Sequence, residues 1–411
     1  MCAHTPEAVL ARRRIVAALG AAAVAPIGAQ AQSNPHGEHK GAETAQGPSL
    51  AISAACAPSG DLWIVGLDEA RRLFVRSSRD DGRHWSAARI LATGTDRIAA
   101  DGENRPKIAF GPRGWVVISY TQPLPKPYAG EIRMLRSANG GRTFSKPFTV
   151  HQDREVITHR FESIAFDATG ALHTLWIDKR DAEAARRAGT KPGYAGAAVY
   201  RNVSLDGGAT FGPDTRLADH SCECCRIALA PGDDGGIGAL WRHVFDVNVR
   251  DHAFARIAPR GASASALVRV TFDDWVIDAC PHHGPALAPS SQGGFHAVWF
   301  GERDGDGAVR YERLTRDGEV IGEARALPDP FAEHATIATA GQALAILWRS
   351  FDGSATRLGA MVSLDAGKTF DMREVATTSD DSDDPLLVRK GSKLFAVWRT
   401  LKGIHVERLV P

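Results

Sequence analysis

The chain has 411 residues, of which 44% are hydrophobic and 24% are charged, and its formal net charge is +1. This composition is that of a soluble globular protein with enough apolar side chains for a substantial core. The near-neutral charge argues against a nucleic-acid partner, because binding to phosphate backbones needs a basic surface. Beyond the N-terminus no apolar run approaches membrane-spanning length, so no membrane span is expected.

The first 31 residues have the pattern of an export signal. Arg12, Arg13 and Arg14 precede an apolar run rich in Ala and Gly, and residues 29–31 form a small-x-small cleavage site. Paired arginines before a mild apolar run resemble a twin-arginine signal, which would export an already folded chain. We therefore predict a signal peptide at 1–31, a flexible polar tail at 32–48, and a mature protein that is periplasmic or secreted.

Four copies of one turn pattern follow along the chain. They share the form Ser-x-Asp/Asn-x-Gly-x-Thr/His-aromatic and occupy residues 78–85, 137–144, 204–211 and 363–370. The Asp or Asn side chain can accept hydrogen bonds from backbone amides, the Gly takes a positive-φ position, and the aromatic ring packs beneath the turn. Each copy is therefore predicted to be a locked β-hairpin.

This pattern resembles the Asp box, or BNR repeat, of the sialidase (neuraminidase) superfamily, whose members are β-propellers. The resemblance implies an all-β, sialidase-like propeller of four-stranded antiparallel blades as a single domain over 49–411. It also implies that the Asp boxes lie on the face away from the active site. The resemblance concerns the fold, and this fold hosts more than one activity.

A second repeat places the strands between these turns. A Gly is followed five to seven residues later by a Trp that ends an apolar run, as at Trp176, Trp299, Trp348 and Trp398. Such runs are typical of strands buried on both faces.

The spacing of the turn copies predicts the number of blades. The first three copies start 59 and 67 residues apart and the last follows after 159, which leaves room for two units without the pattern. We therefore predict seven units, starting near residues 49, 104, 160, 221, 281, 333 and 384, although sialidase propellers characteristically have six. The last unit supplies three strands, and an N-terminal segment is expected to complete it and close the ring.

Cysteine and histidine are concentrated at the predicted channel mouth, in the loops that begin units four and five. Residues 220–226 read His-Ser-Cys-Glu-Cys-Cys-Arg, and residues 278–284 read Asp-Ala-Cys-Pro-His-His-Gly. If the two units are neighbours, their sulfur and imidazole groups converge at one rim. On a strand Cys222 and Cys224 point to one side and Cys225 to the other, so at most three of the four cysteines are expected to meet easily without local distortion.

Thiolates and imidazoles are ligands that copper(I) and zinc prefer, which favours a ligand- or metal-handling protein. The residues expected to form the copper or zinc site are Cys222, Cys224, Cys225, Cys280, His282 and His283. A disulfide is the competing interpretation, because an exported setting favours pairing. It would give a disulfide-stapled, non-catalytic propeller that binds a glycan or a protein. Five cysteines follow the signal, so at least one thiol lacks an intrachain partner.

Arginines that directly follow the repeated Trp support another hypothesis. The sialidase resemblance implies three arginines that bind the substrate carboxylate, since planar guanidinium groups suit that anion. Arg242, Arg349 and Arg399 are the candidates. With them the protein would be an exo-sialidase-type glycoside hydrolase that binds an acidic sugar at the propeller mouth.

The sequence departs from the sialidase catalytic pattern. The resemblance implies a Tyr nucleophile assisted by Glu and an Asp acid/base. No Tyr occurs after Tyr311, and the Phe/Tyr-Arg-Ile-Pro element near the N-terminus is missing. Tyr194, in the long loop 178–196, is a candidate substitute. The sequence therefore leaves open whether the ligand is a small molecule, a metal or an acidic sugar, and whether the protein is an enzyme.

Overall fold

Seven antiparallel sheets, arranged as the blades of a propeller, make up the part of the chain that the computed structural model describes, residues 49–191, 193 and 196–410. Six sheets have four strands and the seventh has three. The prediction of a seven-bladed, all-β propeller is confirmed. The predicted signal peptide, the polar tail, the N-terminal closing segment and Tyr194 lie outside the described residues.

The strands follow chain order within each blade. Blades 1 and 2 contain β1 (Ile52–Cys56), β2 (Leu62–Leu67), β3 (Leu73–Ser78), β4 (Arg89–Ile90), β5 (Lys107–Phe110), β6 (Val116–Pro123), β7 (Gly130–Ser137) and β8 (Phe148–Thr149). Blades 3 and 4 contain β9 (His159–Phe166), β10 (Leu172–Asp178), β11 (Ala197–Ser204), β12 (Thr215–Ser221), β13 (Ala228–Pro231), β14 (Ile237–Arg242), β15 (His252–Ile257) and β16 (Val268–Arg269).

The remaining blades keep the same order. Blades 5 and 6 contain β17 (Ala286–Pro289), β18 (Phe295–Arg303), β19 (Asp306–Leu314), β20 (Val320–Ala326), β21 (Glu333–Ala340), β22 (Ala343–Phe351), β23 (Thr356–Ser363) and β24 (Asp371–Thr378). Blade 7 contains β25 (Leu386–Lys390), β26 (Lys393–Thr400) and β27 (Gly403–Val410). One α-helix, α1 (Arg180–Arg187), follows β10. No helix among the described residues is long and apolar enough to cross a membrane.

The second strand of each blade forms much of the core. In β14, for example, all six residues are buried, as expected for a strand packed on both faces. The repeated Trp side chains are at most 2% exposed in blades 3 to 7. The indole of Trp398, for instance, donates to the backbone oxygen of Asp383 at 2.8 Å. Burial of these large indole groups between neighbouring blades stabilises the propeller.

The four turn copies connect the third and fourth strands and have the expected local geometry. In the third copy, Asp206 Oδ1 accepts hydrogen bonds from the amides of Ala209 and Thr210 at 3.0 and 2.9 Å. Ser204 Oγ accepts from the amide of Gly208, whose φ is 82°. Because antiparallel strands alternate in direction, these turns lie at the opposite end of the blades from the loops that begin each inner strand.

The ring closes where blade 7 meets blades 1 and 2. Strand β25 packs beside β1. Asp383, just before β25, accepts from the Ile52 amide at 2.9 Å and from the Arg105 guanidinium at 2.8 Å. Arg105 also bonds Asp384 at 2.7 Å, and all three charged side chains are almost fully buried. A buried ion-pair network therefore joins the two ends of the described chain.

Candidate functional site

Four cysteines from the loops that begin blades 4 and 5 lie together, and we call Cys222, Cys224, Cys225 and Cys280 the thiol cluster. The Cys222 Sγ lies 3.7 Å from that of Cys224 and 3.9 Å from that of Cys225, and the Cys224 and Cys225 sulfurs are 4.0 Å apart. The sulfur atoms of Cys222, Cys224 and Cys280 all lie within 4.8 Å of one another. Blades 4 and 5 are neighbours, as the sequence hypothesis required.

The expectation that Cys225 points away from the other sulfurs was wrong. It assumed strand alternation, but β12 ends at Ser221 and β13 begins at Ala228, so the cysteines lie in an irregular loop. His220, just before the loop, has a φ of 52°, which turns the chain sharply. The Cys222 amide donates to the Arg242 backbone oxygen at 3.0 Å, which fixes the start of the loop on β14.

Hydrogen bonds among the thiols make some cysteines of the thiol cluster easier to ionise than others. The thiols of Cys224, Cys225 and Cys280 lower the pKa of Cys222 well below its usual value, and the positive charge of Arg242 acts in the same direction. Hydrogen bonding to Cys222 raises the pKa of Cys280 to about 11. Cys222 is therefore the sulfur most readily ionised, and a thiolate is the form that ligates metals.

The structure places the two predicted histidines differently from the cysteines. His282 is exposed and has a φ of 56°. The ring of His283 stacks on Phe300 of β18, in the same blade, with centroids 4.6 Å apart, and lies 4.5 Å from the ring of His334 in blade 6. One ligand atom each from His283, Glu333 and His334 lies within 4.8 Å of the others. The predicted ligands thus separate into a thiol cluster and a second group, which we call the histidine cluster.

Burial and charge keep His283 neutral. Burial has the largest effect, and the positive fields of His334 and Arg242 add to it, so the pKa of His283 falls to about 2. The Nδ1 atoms of His283 and His334 are buried without a hydrogen-bond partner among the described residues. The neutral imidazole of His283 can accept a proton or bind a metal.

Buried carboxylates and arginines surround the histidine cluster. Glu103 accepts from the amides of Gly284 and Arg226, at 2.9 and 3.0 Å, and its carboxylate lies 3.0 Å from the Arg226 guanidinium. Arg226 donates onward to the backbone oxygen of Ala335 at 2.7 Å. Loops of blades 2, 4, 5 and 6 are therefore tied together by one polar network at the channel mouth.

The three arginines proposed as a carboxylate clamp each have separate partners. Arg242 is 1% exposed, and its Nη atoms donate to the backbone oxygens of Arg250, His283 and Phe300. Arg399 faces the Leu67 backbone oxygen at 3.3 Å. Arg349 pairs with Glu333 at 2.9 Å and Asp384 at 3.4 Å. The Nη atoms of Arg242 are thus used in hydrogen bonds to the backbone. Arg349 lies at the channel mouth beside other charged groups.

Two acidic residues of this region were not singled out by sequence reasoning. Glu103 directly precedes the Asn104-Arg105 pair at the start of blade 2, and Glu333 directly precedes His334 at the start of blade 6. Both positions belong to the class of loops that the propeller hypothesis places at the mouth. Their position in this class of loops was the available signal.

Solved structures similar to this chain are enzymes that act on carbohydrates, at low sequence identity. An ulvan lyase of polysaccharide lyase family PL25 matches with a TM-score of 0.54 and 10% identity over 89% of this chain and 93% of that one. The α-L-arabinofuranosidase Arb93a of Fusarium graminearum matches with a TM-score of 0.50 and 12% identity over 80% and 92%. These likenesses support the propeller fold.

The sialidase comparison is weaker. The NanB sialidase of Streptococcus pneumoniae has a TM-score of 0.47 at 9% identity over 74% of this chain and 65% of that one, which is too low to carry an argument. Neither a protein-family model nor a curated protein sequence matches the chain.

Proposed function

We propose that the thiol cluster binds a soft metal ion, copper(I) or zinc, and that the protein handles this ion at the propeller mouth. The observation that carries the proposal is the sulfur geometry. Zinc–thiolate bonds of about 2.3 Å in a tetrahedron place the sulfurs about 3.8 Å apart. The separations within Cys222, Cys224 and Cys225 are 3.7, 3.9 and 4.0 Å, so these thiols need little movement to surround one ion.

The surroundings of the thiol cluster suit an anionic metal–thiolate centre. The cysteines of blade 4 pack in an apolar core with Trp241 and Ile227. In the same region Trp241 Nε1 and Arg242 Nε are buried donors without a hydrogen-bond partner among the described residues. Buried donors without acceptors are costly, and the positive charge of Arg242 favours an ionised Cys222.

Metal analysis of protein recovered after export tests this proposal. We expect the copper or zinc content per chain to fall by about one equivalent in Cys222→Ser and in Cys280→Ser. Cys56→Ser is the matched control, because Cys56 lies alone in β1, outside the thiol cluster. It should retain the metal in full.

A thiol count in denaturant without metal separates the proposal from the disulfide interpretation. The five described cysteines are all free, so we expect all of them to react. Protein that contains no metal and has almost no reactive thiol would overturn the metal proposal and favour the disulfide-stapled propeller.

A second candidate function is the binding or cleavage of an acidic glycan, and the structural comparisons favour it. The similar ulvan lyase was solved with -[GlcA(1-4)Rha3S]- bound, with a TM-score of 0.53. In the present chain, Arg349 is 23% exposed at the mouth beside Glu333 and His334, so it is the arginine of the proposed clamp best placed to meet a ligand carboxylate.

Binding and turnover assays with sialosides and with uronic-acid polymers test the glycan candidate. Arg349→Ala should reduce the measured binding or product release at least about tenfold, the loss expected for one charge-assisted contact. Arg357→Ala is the control, since Arg357 is an exposed arginine paired with Asp352 on a different strand. No binding to any of these glycans would exclude this candidate.

A further inference from the structure

The histidine cluster joins residues far apart in the chain at the inner rim of the propeller. His283 lies in the loop before β17, while Glu333 and His334 begin β21. Its ligand atoms belong to residues other than those of the thiol cluster. The proposed soft-metal function therefore does not use this site.

A bulge at the start of β21 presents Glu333 and His334 together. Glu333 pairs with Arg349 and Thr336 with Leu347, so β21 contains one extra residue relative to β22. His334 lies within this bulge with a φ of 49°. Consecutive residues of a regular strand point to opposite faces, and the bulge removes that restriction. A similar bulge in blade 3 carries Phe161, so the backbone feature belongs to the fold, whereas the Glu-His pair is specific to blade 6.

We propose that His283, Glu333 and His334 form a second metal site, which takes a divalent first-row transition ion such as zinc or iron(II). Two imidazoles and one carboxylate are a ligand set known for catalytic zinc and for non-haem iron. This set lacks sulfur, so it suits a harder ion than the thiol cluster does. With three protein ligands, the ion keeps coordination positions open to a substrate or water.

Neighbouring residues hold these ligands in place. Arg349 Nε donates to Glu333 Oε1 at 2.9 Å, which orients the carboxylate. Phe300 stacks on His283, and Arg242 binds the His283 backbone oxygen at 2.9 Å. Such outer contacts orient metal ligands and tune their affinity. The buried Nδ1 of His283 has no hydrogen-bond partner among the described residues, which is an independent indication of a ligand because buried polar atoms are normally satisfied. The Nδ1 of His334 faces Asp384 Oδ1 at 3.6 Å.

The distances and charges are compatible with metal binding. Bonds of about 2.0–2.2 Å require donor separations of about 2.9–3.4 Å, so the donors need to approach by at most about 2 Å from their present limit of 4.8 Å. The charged groups around the site are balanced in number, with four carboxylates and four guanidinium groups: Glu103, Glu333, Asp383, Asp384, Arg105, Arg226, Arg242 and Arg349. A divalent ion would therefore be held by the Glu333 carboxylate and the two imidazoles, and not by a surplus of negative charge.

Titration of the full chain with cobalt(II) tests the inference. Cobalt bound by thiolates gives strong sulfur-to-metal charge-transfer absorption, whereas cobalt bound by nitrogen and oxygen gives only weak d–d bands. We expect the native protein to bind one equivalent of cobalt through nitrogen and oxygen ligands. Cys280→Ser should still bind this equivalent. His334→Ala and Glu333→Gln should weaken it by at least about 100-fold, beyond the 10–100-fold typical of outer-sphere substitutions.

Two further variants distinguish loss of this site from misfolding and from metal binding at the thiol cluster. His405→Ala removes a surface histidine of blade 7 and should leave both cobalt signals unchanged. Glu333→Gln keeps the shape of a half-buried side chain, so it serves if His334→Ala does not fold. If cobalt binding without charge-transfer absorption is absent from the native protein, or persists unchanged in folded Glu333→Gln, the second site does not exist, whatever the thiol cluster binds.

Discussion

Glu312 on β19 illustrates how one residue responds to its surroundings. Its side chain lines a cavity of about 420 Å³, together with Phe272, Trp299 and Arg303. The residue is only 5% exposed. Burial, with a smaller contribution from the negative charge of Asp273, raises the pKa of Glu312 to about 7. The folded protein therefore holds a proton at this position over a pH range in which the unfolded chain has released it.

This shift predicts the pH dependence of stability at Glu312. A raised carboxyl pKa means that the native state binds more protons, so stability falls as pH rises from the ordinary value of 4.5 through about 7. Glu312→Gln removes this loss. We expect the free energy of unfolding at pH 8 to increase by about 1–2 kcal/mol, less than the full shift implies because the cavity opens to solvent.

Denaturant unfolding at pH 4 and pH 8 measures the effect. The increase in the free energy of unfolding caused by Glu312→Gln should vanish at pH 4, where the side chain at position 312 is neutral in the native protein and in the variant. Glu323→Gln, on an exposed residue of the same cavity, should change stability little at either pH. An equal gain at both pH values would show that packing, and not ionisation, is responsible.

At the scale of the element, the turns between third and fourth strands owe their shape to a few side-chain hydrogen bonds. Burial opposes the ionisation of Asp206, but hydrogen bonds from Thr210, Ser204 and Ala209 lower its pKa to about 2. A partial match in blade 5, which reads Thr-Arg-Asp-Gly at residues 315–318 and which we call the decayed copy, differs. Its Asp317 is exposed and its Gly318 amide bonds a backbone oxygen, that of Thr315.

Removal of a turn carboxylate should destabilise the protein. Asp206→Ala leaves two backbone amides without their acceptor, and we expect the free energy of unfolding at pH 7 to fall by about 1–2 kcal/mol. Because the pKa of Asp206 is lowered, its contribution is present above pH 3.8 and lost as pH falls towards 2. Thermal unfolding should therefore show a smaller difference from the native protein at pH 3 than at pH 7.

Asp317→Ala tests whether the effect belongs to the turn geometry. This carboxylate occupies the corresponding place in the decayed copy and pairs only loosely with Arg256, at 3.5 Å. We expect a change within about 0.5 kcal/mol, as for other surface substitutions. Equal losses in the two variants would contradict the role assigned to the Asp206 hydrogen bonds.

At the scale of the whole molecule, stability depends on how the ring closes. Asp383 contacts Ile52 of blade 1 and Arg105 at the start of blade 2, although it precedes blade 7. Burial raises the pKa of Asp383 to about 6. The neighbouring Asp384 is held by the positive charges of His334, Arg105 and Arg349, which outweigh its burial and lower its pKa to about 2.

Loss of one partner of this buried network should be costly. Asp383→Ala leaves the buried Arg105 guanidinium with one carboxylate in place of two, and we expect the free energy of unfolding to fall by about 3–5 kcal/mol. Asp381→Ala, two residues away on an exposed side chain, should change it by less than about 0.5 kcal/mol. Denaturant unfolding of the two variants at pH 7 measures both, and similar midpoints would argue against a closing role for Asp383.

Much of the architecture followed from the sequence because it is encoded locally and repeatedly. The turn copies need only a Ser, an Asp or Asn and a Gly within eight residues, and the buried second strands need only an apolar run that ends in Trp. Repetition at a regular spacing then predicted seven blades correctly, against the six that the sialidase resemblance implied. The adjacency of blades 4 and 5 placed Cys280 beside Cys222 for the same reason.

Details of the site depended on loop conformation, which no periodic pattern determines. The alternation rule failed at Cys225 because the chain leaves the strand at Ser221. The rule also gives no indication that Glu333 and His334 share a ligand site, since this depends on a bulge.

The sequence by itself determined the fold class, the number of blades and the end of the propeller where reactive residues gather, since each depends on short-range, repeated patterns. Only the tertiary structure decided which of those residues meet. It separated His283 from the thiols and gave Arg242, Arg349 and Arg399 different partners. The physical reason is that ligand geometry is set by a few backbone dihedral angles in irregular loops and by packing between blades, both of which join residues distant in the chain.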